Sequence, residues 1–148
     1  DSAGLGLLMF AFGFGALSAS IVWAMVRNLR HVGKLMIAAA LLWHVSILAI
    51  STSDSFYVSM GILAFIGMGF GSIQVFTLTA LLRSTESSYR GRVISLRSLA
   101  IYSFAFGSMS TGAIAGVWGP PMAARVIGIM GIVLLLILAM FTPKLRRF

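Results

Sequence analysis

Apolar residues come in five long runs, over positions 3–26, 35–53, 56–82, 93–118 and 122–142, with short polar breaks between them. Each run is long enough to cross a bilayer as a helix, since a hydrocarbon core of roughly 30 Å needs ~20 residues at about 1.5 Å rise per residue. The third run exceeds that length and is expected to tilt or protrude. Membrane-crossing strands would instead show stretches of ~10 residues alternating in polarity, a pattern missing here. The runs therefore predict an all-α membrane protein, a polytopic transmembrane helix bundle of about five helices.

Composition sharpens this picture. Of the 148 residues, 59% are hydrophobic and 9% charged, and the mean hydropathy is +1.04. A soluble core of this size could not hide so much apolar surface, whereas lipid accepts apolar side chains on every face of a helix. The first run lacks the basic segment and small-residue cleavage site of a signal peptide, and it opens at Asp1 instead of Met, which points to a segment upstream. The absence of cysteine excludes disulfides, thiolate metal sites and cysteine nucleophiles.

A net charge of +8 would suggest nucleic acid in a soluble protein. The basic residues sit between the apolar runs, however, and are not interleaved with aromatic residues as on a base-stacking surface, so nucleic acid is not an expected partner. With the spans taken alternately, Arg27, Arg30, Lys34, Arg83, Arg90, Arg92, Arg97, Lys144, Arg146 and Arg147 fall on one side and only Arg125 on the other. By the positive-inside rule the first side is cytoplasmic and holds the C-terminus, while Asp1, Asp54 and the turn at 118–122 face outside. Trp23, Trp118 and Tyr57 near span ends read as interfacial anchors, and Trp43, within the second span, as packing bulk.

Small residues recur four apart: Ala11, Gly15 and Ala19; Gly67 and Gly71; Gly112 and Gly116; Ala124 and Gly128. Such stripes let helices approach closely where lipid supplies no hydrophobic drive between them. Gly69 and Gly71 also offer a place for the third helix to bend.

Polar residues within spans point to function, because each must find a partner or face water. Gln74 leads, near mid-depth of the third span, with Thr77 one turn on and Ser72 close by. Tyr102, Ser103, Ser110 and Thr111 add polar groups to the fourth span, and Ser18 and Ser20 to the first. A single hydroxyl can bond the carbonyl one turn back, but the amide of Gln74 is not satisfied so easily. His44 either relays a proton or sits as a neutral imidazole bonded to a neighbouring helix. No carboxylate lies inside a span, so paired carboxylates, a His and carboxylate metal set and a Ser, His and Asp triad find no common depth. An enzyme is not expected, nor is a cofactor or metal.

The run Tyr89, Arg90, Gly91, Arg92, Val93, Ile94, Ser95, Leu96, followed by a glycine-rich span closing on Gly112, Ala113, Ile114, Ala115, Gly116, Val117, Trp118 and Gly119, resembles the tenth-to-eleventh helix region of the major facilitator superfamily. The branch it looks most like contains siderophore and macrolide exporters. Gly13, Gly15 and Ala16, followed by Arg27, Arg30, Gly33 and Lys34, resemble the eighth helix and the basic loop after it. The two matches are in register and cover essentially the whole chain, as helices eight to twelve of a twelve-helix transporter. That basic loop often carries an acidic residue shortly before its glycine, whereas Arg30, His31 and Val32 precede Gly33 here, which counts against a gating ion pair in this loop.

The resemblance implies that helices eight, ten and eleven border a central cavity and that nine and twelve lie outside, with His44 on a peripheral helix. It implies secondary active transport, efflux of a small amphipathic compound by alternating access, in a plasma membrane such as the bacterial inner membrane. The expected partners are the lipid bilayer, a small-molecule substrate and the missing N-terminal half of the same transporter. The expected cavity residues are Gln74, Thr77, Tyr102 and Ser18; Arg90, Gly91, Arg92, Arg27, Gly33 and Lys34 shape the cytoplasmic loops; Gly15, Gly67, Gly71, Gly112 and Gly116 serve helix packing. The rival reading is a small non-transporting subunit that binds other membrane proteins through its small-residue faces.

Overall fold

The structure, a computed structural model, describes residues 2–26, 29–102 and 104–141. In chain order it contains α1 (Ser2–Met25), α2 (Val32–Ile50), α3 (Phe56–Ser84), a 3-10 turn (Ser87–Tyr89), α4 (Arg90–Tyr102), α5 (Phe104–Trp118) and α6 (Pro120–Phe141). Five membrane-length apolar helices result, with 87–118 as the fourth. The expected bundle of spanning helices is therefore what the chain forms, and no strand occurs among the described residues. Large apolar side chains are exposed along these helices, among them Phe10, Phe14, Leu17, Val45, Phe65, Leu134 and Leu138. A surface of that kind is stable in lipid and not in water. The protein is a multi-pass membrane protein.

Several boundaries differ from the expected ones, each for a local reason. Helix α2 begins at Val32, not at 35, because the His31 carbonyl accepts the Lys34 and Leu35 amides at 3.0 and 3.1 Å and so takes Lys34 into the first turn. It ends at Ile50, where the Ser51 and Thr52 amides turn back onto the carbonyls of Leu48 and Ala49. Helix α6 begins at Pro120, not at 122. Proline fits a first helical position, where an amide proton would have no partner. Before it, Gly119 takes the left-handed conformation at φ 84° and donates its amide to Ala115 at 2.9 Å, closing α5. Helix α4 begins at Arg90, so the basic segment before the apolar run is itself helical.

Neighbours in space run α1, α3, α2, α6, α5. Helix α3 sits between α1 and α2, and its glycines explain how. A Cβ at Gly67 would fall on the Phe12 carbonyl and one at Gly71 on the Ala16 carbonyl, while one at Gly69 would meet Trp43 Cβ at 2.9 Å. Glycine thus lets α3 touch α1 on one side and α2 on the other, backbone against backbone. Gly15 answers from α1, lying against the backbone of Ala64. At Gly112 and Gly116 a Cβ would meet nothing within 4 Å among the described residues, and α5 buries no residue. These two stripe glycines of α5 are left open among the described residues.

The tightest core lies where α1, α2 and α3 converge, with Leu29, Val32, Ala39 and Phe76 buried and Trp23, Leu35, Met36, Ile73 and Ala80 packed around them. Arg83, in the last turn of α3, donates to the Leu29 carbonyl at 2.7 Å. This bond brings the α1–α2 loop and the end of α3 to the same end of the bundle, the end at which Arg30, Lys34, Arg90 and Arg92 also fall. Arg27, Lys144, Arg146 and Arg147 lie outside the described residues.

Candidate functional site

Gln74 and Arg97 are brought together from different spans: Arg97 Nη2 donates to Gln74 Oε1 at 3.4 Å. Gln74 precedes Ser84, the last residue of α3, by ten positions, about 15 Å of helix. Arg97 follows the start of α4 at Arg90 by seven positions, about 10 Å. Both side chains are half-buried. The bond is long for its type, so it aligns the two groups while leaving most of the guanidinium's donors unused. Val93 and Arg97, one turn apart, are half-buried, and most of the rest of α4 is exposed. Sequence reading grouped Arg97 with the cytoplasmic loop residues. The signal that separates it is its place one turn beyond Val93 on a helix that starts at Arg90.

The other expected cavity residues are arranged differently. Thr77 directs its hydroxyl to Met36 Sδ of α2 at 3.8 Å, so it faces the α2–α3 seam. Ser18 donates to the Gly15 carbonyl at 2.9 Å, and Ser20 to Ala16 at 2.8 Å, the local bonds open to any helical serine. Tyr102 is 73% exposed at the end of α4. Ser103 lies outside the described residues. Of Gln74, Thr77, Tyr102 and Ser18, Gln74 is the one that meets a charged partner among the described residues.

Ser72 has a role that its hydroxyl alone did not announce. It donates to the Met68 carbonyl at 2.7 Å and accepts the indole N–H of Trp23 at 2.8 Å. The Trp23 ring also meets Phe76 edge-on, with centroids 4.8 Å apart. Trp23 therefore turns inward as a polar and aromatic tie between α1 and α3, in place of the interfacial anchor its position near a span end suggests. The indole body and its single donor are both satisfied there.

A cavity of about 630 Å³ opens between α2, α5 and α6, lined by Trp43, His44, Ser110, Thr111, Ala123 and Ile127 among others. Its walls are mostly apolar, and its hydroxyls are engaged at home: Ser110 donates to Phe106 at 3.0 Å and Thr111 to Gly107 at 2.8 Å. Trp43 both packs and lines: its ring stands against Phe70 at 6.0 Å and borders this space. His44 bonds the Ala40 carbonyl through Nδ1 at 2.8 Å. A carbonyl can only accept, so Nδ1 carries the proton, and in the neutral ring Nε2 is left as an acceptor. The ring packs against Gly131 of α6, where a Cβ would fall on it.

At the loop end, Gly33 is buried and Lys34 exposed in the first turn of α2. Arg90 and Gly91 open α4, both exposed, and the Arg92 guanidinium lies 5.8 Å from the Tyr89 ring centroid. Arg27 lies outside the described residues. No cluster of three His, Asp or Glu side chains able to hold a metal occurs among the described residues.

Spanning helices packed through glycines define an integral membrane protein of the polytopic helical class. The match to known families makes this specific: residues 1–146 fit the family described as transmembrane secretion effector, and the chain belongs to that family of the major facilitator superfamily. Its general activity is transport across the membrane. No curated protein and no solved structure gives a significant match.

Proposed function

We propose that the chain is the C-terminal part, helices eight to twelve, of a twelve-helix secondary active exporter of small amphipathic compounds, working by alternating access in a plasma membrane of bacterial inner-membrane type. The observation that carries this reading is the Gln74–Arg97 pair. Joined by one long bond, the amide and the guanidinium keep donors to spare for a solute, which supports a path between α3 and α4. On this reading α1, α3 and the α4–α5 span border the central path and α2 and α6 stand behind them. The exposed faces of α1 and of α4 and α5 are then the surfaces toward the other half, and the basic loop end, with the C-terminus, faces the cytoplasm.

The exported compound is of drug or siderophore type, moved as two helical bundles rock about a site near the membrane midplane. Efflux by the full-length transporter carrying Gln74→Leu tests the assignment. Several-fold slower efflux or an altered substrate preference is expected. Unchanged rate together with unchanged preference would remove Gln74 from the path.

The subunit reading keeps one observation in its favour: Gly112 and Gly116 of α5 are uncovered among the described residues and offer a small-residue face to another helix. A reading frame that begins just before Asp1 and encodes no further spans would decide for it.

A further inference from the structure

Arg97 is a cation on α4, about 10 Å from the helix start at Arg90, with no balancing charge beside it among the described residues. Among the described residues Asp54 precedes α3 at the far end from Ser84, and Glu86 precedes the 3-10 turn, eleven positions before Arg97. Neither is its partner; Gln74 Oε1, a neutral acceptor at 3.4 Å, is. A guanidinium carries five N–H donors in a planar fork suited to carboxylate, sulfonate or phosphate oxygens, and one long bond leaves most of that fork unused. Nor does Arg97 follow its neighbours. Arg92 turns back to Tyr89 at the helix start, the behaviour expected of a basic residue that can reach the interface, while Arg97 points across to α3.

The surroundings set the rest of the ligand. Next to Arg97 on its own helix stand Val93, half-buried, and Ile94 and Ile101, exposed, with the ring of Phe104 following. Lipid or a closed apolar path strengthens attraction to an opposite charge, because little water screens it. We infer that Arg97, oriented by Gln74, binds the anionic group of an amphipathic molecule whose apolar body lies along α4 and α5. This deepens the export reading and rests on it for the direction of movement. It narrows the substrate class to organic anions and assigns Arg97 the charge recognition and Gln74 the positioning of the guanidinium.

The test measures binding of anilinonaphthalene sulfonate, an amphipathic anion, and of tetraphenylphosphonium, an amphipathic cation, to the full-length transporter in phosphatidylcholine nanodiscs. Arg97→Gln is expected to weaken the anion roughly tenfold or more, the scale of a lost charge-assisted hydrogen bond, and to leave the cation unchanged. Arg97→Lys, which keeps the charge, retains most of the anion binding, and Gln74→Leu gives an intermediate loss. Adding phosphatidylglycerol separates two sources of the same chemistry: displacement of the probe identifies a lipid headgroup as the occupant, and its persistence a free organic anion, with the site supported by both. Anion binding unaltered in Arg97→Gln overturns the inference, and so does an equal loss of both probes, which would mean general damage. Vesicles that bind the anion through Arg97 but move neither probe would sink the export reading and leave the site standing.

Discussion

The indole N–H of Trp23 on α1 donates to Ser72 Oγ on α3 at 2.8 Å, and the Ser72 hydroxyl in turn donates to the Met68 carbonyl at 2.7 Å. Removing either end has unequal effects. Ser72→Ala leaves the indole donor without its acceptor in an apolar seam and is expected to cost about 1–3 kcal/mol, the penalty of an unsatisfied buried group. Trp23→Phe removes the donor but leaves Ser72 bonded to Met68, and should cost about 1 kcal/mol or less through the hydrogen bond. Thermal unfolding of the purified protein in detergent checks the order; a larger loss for Trp23→Phe would contradict it unless packing on Phe76 has also failed.

The glycine contacts make a second, graded prediction. Gly67→Val drives a side chain into the Phe12 carbonyl of α1 and is expected to destabilise by about 1–3 kcal/mol or to prevent assembly, as overpacking does. Gly112→Ala meets nothing within 4 Å, and its effect on unfolding of this chain should stay within about 0.5 kcal/mol of zero. Equal effects at the two positions would show that the α1–α3 contact is not the close one described.

His44 and Gly131 should behave as a coupled pair. A methyl at Gly131 falls on the imidazole, so Gly131→Ala alone is expected to cost about 1–3 kcal/mol. In the His44→Ala background the same change finds room, and a double-mutant cycle should give a coupling of about 1 kcal/mol or more. Additive losses would separate the two residues.

His31 is the one non-glycine residue at positive φ among the described residues, at φ 57° and ψ 45° before α2. A left-handed residue with a Cβ carries a steric cost of about 1–2 kcal/mol that glycine does not. His31→Gly is therefore expected to raise the unfolding temperature slightly, with no change in transport. A lowered temperature would show that the imidazole contributes more than its backbone strain takes away.

Reporter tags after Leu29 and after Thr85 should both appear on the side of the C-terminal tail. Arg83 already joins the first of these loops to the end of α3 through the Leu29 carbonyl, so a split between the two tags would contradict both the charge rule and this bond.

The helices were legible in the sequence because lipid imposes one demand on the whole length of a span: apolar side chains and a self-satisfied backbone. The ends were less so. Pro120 and Lys34 look like loop residues by polarity or ring shape, yet Gly119 and the His31 carbonyl build helix starts around them. The candidate site was legible at Gln74, whose amide has no easy local bond, and not at Arg97, because charge alone assigns an arginine to a loop. Ser18 and Thr77 read as cavity groups by type, but a hydroxyl is small enough to be satisfied by its own helix or by the next one, as Gly15 and Met36 show. The inward turn of Trp23 depends on Ser72, forty-nine positions away, a pairing that no local pattern carries.

Gly119 alone joins α5 to α6. A link this short gives the two helices a common pivot at that end, so a tilt of α5 swings its opposite end while the joined end stays almost fixed. Any rearrangement in this hairpin is therefore largest at its open ends, Phe104 and Phe141, and α6 registers it as a change of angle and not as a slide.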